Sequence, residues 1–451
     1  MEPQNLEITV ERLRSALGTN RSSDAISVLL DLHPADQAEV FNALTEEERT
    51  FLLPIIDIDA TANLFEEMED EEVLEAVESL TTERLADVLD EMEPDEAADL
   101  LGDLTPEQAS EVLAQMEDPS DVIPLLGYPD ETAGGLMTTS YIALRRHTKV
   151  DQAIQFLRQI TIDTEVPYYL YVVDREKRLL GVVSMRELVI SAPDTIMEDI
   201  MDADVIHVNA TDDQEEAARI MSRYDLAAVP VLDEQKRLVG VITHDDILDV
   251  LEEEATEDIY RLATVSDSDL EPESPILDHL KGRLPWMYLN MGTAMFASWV
   301  ITRFEDIIAQ VALLAAFQSV IAGLGGNSGS QNVVMIVRSM ALGKINANRI
   351  WVVMKRQILI GLIQGAAVGI VVAAGVALWQ QDFYLGLIIL IAMIGNMVIA
   401  GIVGTLVPFL LTALGKDPAL ASTILVTATT DSFGFFIFLS LASLFLPMIS
   451  K

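Results

Sequence analysis

Along the first 130 or so residues, apolar positions recur three and four apart in short bursts that are broken by Thr-Thr, Thr-Pro or Pro-Asp. That spacing predicts short amphipathic helices, not strands. "LTTERLADVLDEM" at 80–92 returns as "LTPEQASEVLAQM" at 104–116, an offset of 24 residues, and "EPDEAADLLGDL" at 93–104 fills a half-period of about 12. Each unit opens on Thr, or on Pro followed by an acid, both suited to a helix N-terminus. The pattern predicts a small superhelix of stacked short helices with an acidic outer face.

From Gly134 a second repeat takes over. "VVDREKRLLGVV" at 172–183 returns as "VLDEQKRLVGVI" at 231–242, an offset of 59 residues. Each copy reads strand, turn, strand, helix ("SMRELVI", "THDDILDVL"). Each is preceded by a strand ("MTTSYIAL", "MDADVIHV") and an amphipathic helix ("VDQAIQFLRQI", "DQEEAARIMSRY"). Two tandem β-α-β-β-α units resemble a cystathionine-β-synthase (CBS) pair, a module that often senses adenine nucleotides. The stretch "THDDILDVLEEEATEDIYRL" at 243–262 then sets Leu248, Leu251, Ala255, Ile259 and Leu262 on one stripe and acids on the other faces, which predicts a long acidic helix. "SDSDLEPESP" (266–275) reads as a linker.

Five apolar stretches follow, near 285–304, 307–324, 357–379, 383–414 and 421–447, each long enough to cross a bilayer as a helix. The fourth contains Gly395, Gly401, Gly404 and Pro408, so a tilt or break is expected there. Arg338, Lys344, Arg349, Lys355 and Arg356, between the second and third stretches, place that segment inside, as do Lys281 and Arg283 before the first. The soluble two-thirds are then cytoplasmic, and five spans put the C-terminus outside.

Charge sharpens this division. The chain of 451 residues carries a formal net charge of −44, yet the part from Leu284 onward sums to +3, leaving −47 on residues 1–283. So acidic a region excludes nucleic acid and would repel an anionic membrane surface. It could bind cations, or it could simply be a well-solvated surface. There is no cysteine, hence no disulfide framework and no thiolate metal site. The first 30 residues lack a basic start followed by a continuous apolar run, so no cleavable signal is expected.

Candidate chemistry is concentrated in the spans. His33, His147, His207, His244 and His279 form no close pair, and no G-x-S-x-G, Walker A lysine or H-E-x-x-H motif occurs, so the chain is read as a non-enzyme. Asp431 stands inside "ILVTATTDSFGFFIFLSLASLF" (424–445). A carboxylate at that depth is costly and ordinarily faces protein or water. No basic residue lies deep in another predicted span to pair with it; a protonated aspartic acid bonded to a neighbouring helix is the second choice. Thr427, Thr429, Thr430 and Ser432 add hydroxyls, a donor set suited to a hard cation. "GLGGNSGSQN" (323–332) is expected as irregular polar backbone, either buried in protein or lining water. Asn396 in "IGNMVIAGIVGTLVPF" fits either pore lining or small-residue helix packing. Asp417 in "LGKDPAL" is either a turn residue or an acid at the inner mouth.

The acidic helical N-domain, the junction "YPDETAGGLMT" (128–138), the CBS-like pair, the acidic helix, "GGNSGSQ" and "TATTDSFG", in that order, resemble the MgtE family of magnesium transporters over essentially the whole chain. The resemblance implies a multidomain membrane protein. Its parts are an all-α superhelical N-domain (1–133), an α/β tandem CBS pair (134–248), a plug helix and linker (249–280) and an α-helical transmembrane bundle of five spans per subunit (281–451). It implies a homodimer in the cell (inner) membrane with one pore on its axis, Mg2+ as the ion, Asp431 as the pore acid and Asp417 at the cytoplasmic mouth. It also implies that the helix after the CBS pair plugs the pore, and that Mg2+ held between the soluble parts keeps it shut. By motif position the ligands are Asp246, Asp249, Glu254, Glu257 and Asp258 on the plug, Asp225 in "RYDLAAVPV", and Asp95 and Asp99 in "PDEAADLL". ATP binding by the CBS pair follows too, with Thr243 and Asp246 in "GVITHDD" fitting the ribose-contacting pattern. The first copy has Ser184 and Glu187 in those places. Rival readings are a transporter of Co2+ or Mn2+, which an all-oxygen donor set does not separate from Mg2+, and a CBS-regulated membrane receptor that transports nothing. The receptor reading leaves Asp431 and "GGNSGSQ" without a role.

Overall fold

The computed structural model describes residues 3–18, 22–159, 169–266, 270, 272, 274–345, 347–420 and 422–449. The linker expected at 266–275 lies partly outside these residues. The chain forms two compact units, Met1–Leu251 and Glu252–Lys451.

In the first unit α1 (Pro3–Gly18) is followed by α2 (Ser22–Leu30), α3 (Pro34–Asn42), α4 (Glu46–Leu52), α5 (Ile58–Phe65), α6 (Asp70–Val77), α7 (Thr82–Leu89), α8 (Pro94–Asp103) and α9 (Pro106–Leu113). From α2 onward a helix begins every 12 residues, so the half-period read at 80–116 governs the whole domain. Each helix has only two or three turns and is too short to hold alone. Stacking supplies the stability: α3, α5, α7 and α9 pack in one row, and α6 packs on α8. Between the rows Phe41, Leu52, Phe65, Leu89 and Leu101 are buried. Thr45, Thr81 and Thr105 each accept a hydrogen bond from the backbone N–H three residues on, and Pro opens α3, α8 and α9, which fixes the register of the starts.

The same unit holds two three-stranded sheets. In the first, β1 (Ala143–Arg145) runs parallel to β2 (Tyr169–Val173), which is antiparallel to β3 (Leu179–Ser184). In the second, β4 (Val208–Asn209), β5 (Ala228–Leu232) and β6 (Leu238–Thr243) repeat that order. The 59-residue offset holds pair by pair: Tyr169↔Ser184 becomes Ala228↔Thr243. The turn lysines Lys177 and Lys236 both take a positive φ, 61° and 60°. Helices α10 (Val150–Leu157), α11 (Met185–Ile190), α12 (Met197–Ile200), α13 (Gln214–Tyr224) and α14 (His244–Leu262) complete the copies. One apolar core runs from the helical repeats into the second sheet through Val229, Ile242 and Ile247.

The second unit is helical: α15 (Ile276–Thr302), α16 (Glu305–Gln310), α17 (Leu313–Ala341), α18 (Ile350–Gln380), α19 (Phe383–Ala413), α20 (Ser422–Leu444) and α21 (Leu446–Ile449). By length and composition α18, α19 and α20 can cross a membrane. Helices α17, α19 and α20 pack mutually, and α18 lies along α19. The glycines Gly361, Gly365 and Gly369 of α18 allow that approach: a Cβ at Gly361 would stand 2.5 Å from the Met397 carbonyl oxygen, and one at Gly365 would stand 2.6 Å from Ile394 Cα. Outward-facing Trp351, Ile370, Val371 and Leu378 are exposed, an apolar surface suited to lipid.

Three sequence expectations need correction here. The second apolar stretch, expected at 307–324, is split between the short α16 and a helix that begins only at Leu313 and runs to Ala341. "GLGGNSGSQN" is not irregular backbone but part of that helix. Its glycines serve close packing, with Gly329 against Val426 and Gly325 against Asn396. Of the tilt or break expected in the fourth stretch, the break does not occur: α19 is continuous for 31 residues around a buried Pro408. The glycines there also serve packing, Gly401 meeting the Gln357 backbone and Gly404 that of Gly329.

Candidate ion-binding sites

Asp431 lies near the middle of α20, partly exposed, in a helix whose other ionisable groups are nil. Among the described residues no hydrogen bond or ion pair reaches it. Thr427, one turn earlier on the same face, is the hydroxyl that helical geometry places beside it. The other hydroxyls depart from the sequence expectation of a shared oxygen patch. Thr430 and Ser432 are buried and donate to the Val426 and Ala428 carbonyls, while Thr429 donates to Leu425. Helix geometry turns them to other faces, so one carboxylate and one hydroxyl remain as the candidate ion donors.

Polar side chains of α17 divide into two sets. Asn327 and Gln331 are exposed, a costly state for a bilayer-facing surface and one suited to water or a second polypeptide. Asn332 is buried; its Nδ2 donates to the Gly401 carbonyl at 2.9 Å and to Thr405 Oγ1 at 3.1 Å. Beside it a small cleft is lined by Ser328, Gln331, Gln357 and Gln364, with Ser328 Oγ donating to Gln364 Oε1 at 3.1 Å. Asn396 is buried between helices and lines no open surface, which favours packing over pore lining.

At the end of α14 the second unit gathers charge. Arg261 pairs with Glu257 on its own helix and with Asp417, the acid in the turn before α20. Asp417 Oδ1 accepts from Ala419 N at 2.7 Å, and Thr423 Oγ1 donates to the Leu262 carbonyl at 3.0 Å, joining this helix end to α20. Burial, and then the charges of Asp417 and Glu254, push the Asp258 carboxyl up to about 6, against the opposing pull of Arg338. Of the residues singled out in the sequence, Glu254, Glu257, Asp258 and Asp417 are therefore brought together.

In the first unit Asp95 is buried on α8, its Oδ1 without a hydrogen-bond partner among the described residues. Burial first, and then the charge of Asp246 with a smaller share from Asp99, push its carboxyl up to about 7. A buried carboxylate oxygen under the charges of Asp246 and Asp99 is a candidate cation donor, although the three carboxylates do not stand close enough together to hold an ion in this arrangement. Asp225 and Asp249 are exposed, Asp225 ending α13 at φ 51°. Among the described residues no three acidic or imidazole groups stand close enough together to hold a metal ion. At the two sheet ends, Thr243 Oγ1 donates to Asp246 Oδ2 at 2.6 Å, and Ser184 Oγ donates to Glu187 Oε2 at 3.0 Å. The departure in residue type thus leaves the geometry alike in both copies.

Arg261 and Arg338 were not legible as site residues. The signal for Arg261 was its place four residues after Glu257; Arg338 served only as a topology marker.

Family models match the chain in three parts. One described as a divalent cation transporter (MgtE) covers 318–441, the MgtE intracellular N domain covers 32–131, and the CBS domain covers 133–193 and 197–253. The chain is similar to the magnesium transporter MgtE of Enterococcus faecalis, with 37% identity over 449 residues and 99% of each chain covered. To the MgtE of Thermus thermophilus it is 38% identical over 332 residues, 73% of each. Among solved structures, the cytosolic domain of the Mg2+ channel MgtE in complex with ATP matches with a TM-score of 0.51 at 36% identity, covering 53% of this chain and 99% of that one.

Proposed function

This chain belongs to the MgtE family of divalent cation transporters, and from that premise we propose that it is a Mg2+ channel for magnesium uptake, closed by cytosolic Mg2+. The observation that carries the reading is Asp431, a carboxylate without a partner among the described residues, in a 23-residue apolar helix. Such a charge is retained where it has a task. The protein works as a homodimer in the cell membrane, its N-terminal domains cytoplasmic, with α15 and α17–α20 as the five spans of each subunit. The dimer axis sets two Asp431 carboxylates across one path. Mg2+ sheds water reluctantly, so Asp431 and Thr427 hold it through its hydration shell.

Closure uses the acids of the soluble part. Asp95, Asp99 and Asp246 would hold Mg2+ in the first unit, and Glu254, Glu257 and Asp258 in the second, with Asp225 and Asp249 completing the set. Bound Mg2+ offsets the mutual repulsion of these carboxylates and holds α14 as a plug; when Mg2+ falls, the −47 charge of residues 1–283 drives the elements apart. ATP binds the CBS pair at Thr243 and Asp246 and modulates this equilibrium. Mg2+ uptake into vesicles holding the purified chain tests the reading. Uptake by the native chain and none by Asp431→Ala is expected; undiminished uptake by Asp431→Ala, or none by the native chain, would sink it.

A further inference from the structure

Asn396 is a polar residue in the middle of α19 for which the ion pathway has no direct use, and it is 1% exposed. Its Nδ2 donates to the Ile321 carbonyl of α17 at 2.9 Å. Among the described residues its enclosed Oδ1 has no partner, a state that costs stability and that an apolar residue of similar size would avoid. The amide is wedged between glycines of two other helices. A Cβ at Gly325 of α17 would stand 2.1 Å from Nδ2, and one at Gly434 of α20 would stand 2.8 Å from the same atom. Neither helix can move toward α19 without striking the amide, and the amide cannot withdraw from one glycine without closing on the other. Gly434 lies three residues after Asp431, about 60° around the same helix. Whatever sets the rotation of α20 at Gly434 therefore sets the direction of the Asp431 carboxylate.

We infer that Asn396 is a positioning residue for the ion site: its amide, held between Gly325 and Gly434, fixes the rotation of α20 against α17 and thereby the placement of Asp431. The inference rests on Asp431 being the ion site. A hydrated Mg2+ has rigid octahedral geometry, so a carboxylate displaced by a fraction of an ångström loses the water-mediated contacts to it.

Vesicle flux of the full chain tests this by suppression. In Gly434→Ala the added methyl strikes the amide and rotates α20. The Mg2+ concentration giving half-maximal flux is expected to rise on the order of tenfold. Asn396→Ala alone removes the spacer and is expected to raise half-saturation as well. In the double variant the added methyl at position 434 takes up the vacated space and is expected to recover most of both losses, with Asn396→Ser in the same background as the variant to use should the first not insert. Recovery of half-saturation, at matched amounts of inserted dimer, is a result that a merely structural role would not give. A double variant no better than Gly434→Ala alone overturns the inference, as does a defect confined to the amount of inserted protein. Native flux and its loss in Asp431→Ala are measured alongside. If either control fails, the ion-site reading falls and takes this inference with it. If both hold and suppression fails, only the role of Asn396 is lost.

Discussion

The guanidinium of Arg261, at the end of α14, donates to the carboxylate of Asp417, in the turn that leads into α20. The same guanidinium is held from behind by Glu257. A permanent cation thus sits on the acid proposed for the inner mouth, where an arriving Mg2+ would have to compete with it. Both side chains are partly buried, so the pair is screened less than a surface ion pair would be.

Arg261→Gln is therefore expected to weaken closure. The internal Mg2+ concentration that half-inhibits flux should rise roughly three- to tenfold, about 0.7–1.4 kcal/mol, less than a fully buried charged hydrogen bond because both side chains are partly exposed. Arg261→Lys should retain part of the effect, because it keeps charge but not the two-pronged geometry. Inhibition curves on inside-out patches give the answer, and an unchanged midpoint in Arg261→Gln counts against the latch.

Neutralising Asp249 and Glu257 together is expected to leave a channel that conducts but resists inhibition by internal Mg2+, because two of the proposed bridging carboxylates are gone. Patch recordings showing native inhibition in the double variant would remove these residues from the sensor.

The raised carboxyl of Asp95 predicts a pH dependence in Mg2+-free buffer. Its folded value, about 7, lies above the unfolded value of about 4, so the native state holds the extra proton between those limits. Stability is then greatest below about pH 4 for this group, falls as pH rises toward about 7, and stays low above it. Hydrogen exchange along α8, corrected for the intrinsic pH effect, should show protection falling over that window. Added Mg2+ should restore protection at high pH, and Asp95→Asn should reduce the dependence, with the remainder carried by Glu96, which burial and the charge of Asp95 push up to about 8. Protection that rises with pH in the native chain would contradict the assignment.

Gly365→Leu is expected to part α18 from α19, since any Cβ there meets the backbone of Ile394. Overpacking of this kind costs about 1–3 kcal/mol or more. Unfolding in detergent should show the loss, while Gly375→Leu, with open space around its Cβ position, serves as the tolerated control.

How far the sequence could be read follows from how locally each feature is encoded. The CBS register was legible to the residue because the chain states it twice, and the helix starts over 80–116 because Thr and Pro mark them; α5 and α6, which open after Asp57 and Glu69, carry no such mark. "GLGGNSGSQN" and Pro408 misled for a common reason. Glycine and proline weaken a helix in water, but in a packed bundle the glycines admit neighbouring backbone and the helix persists. Asp431 was conspicuous as a lone charge in an apolar run. The pairing of Arg261 with Asp417 spans 156 residues and leaves no local periodicity. The wedge of Asn396 was invisible because a sequence does not show which glycines face which amide.

The most direct measurement is the current through the purified chain in planar bilayers, with Mg2+ the sole permeant cation and varied separately on each face. Mg2+ current is expected when the cytoplasmic face is low in Mg2+, with its suppression when that face is raised and no current from Asp431→Ala under either condition. Native-sized current from Asp431→Ala, or a current indifferent to Mg2+ on the cytoplasmic face, would contradict this.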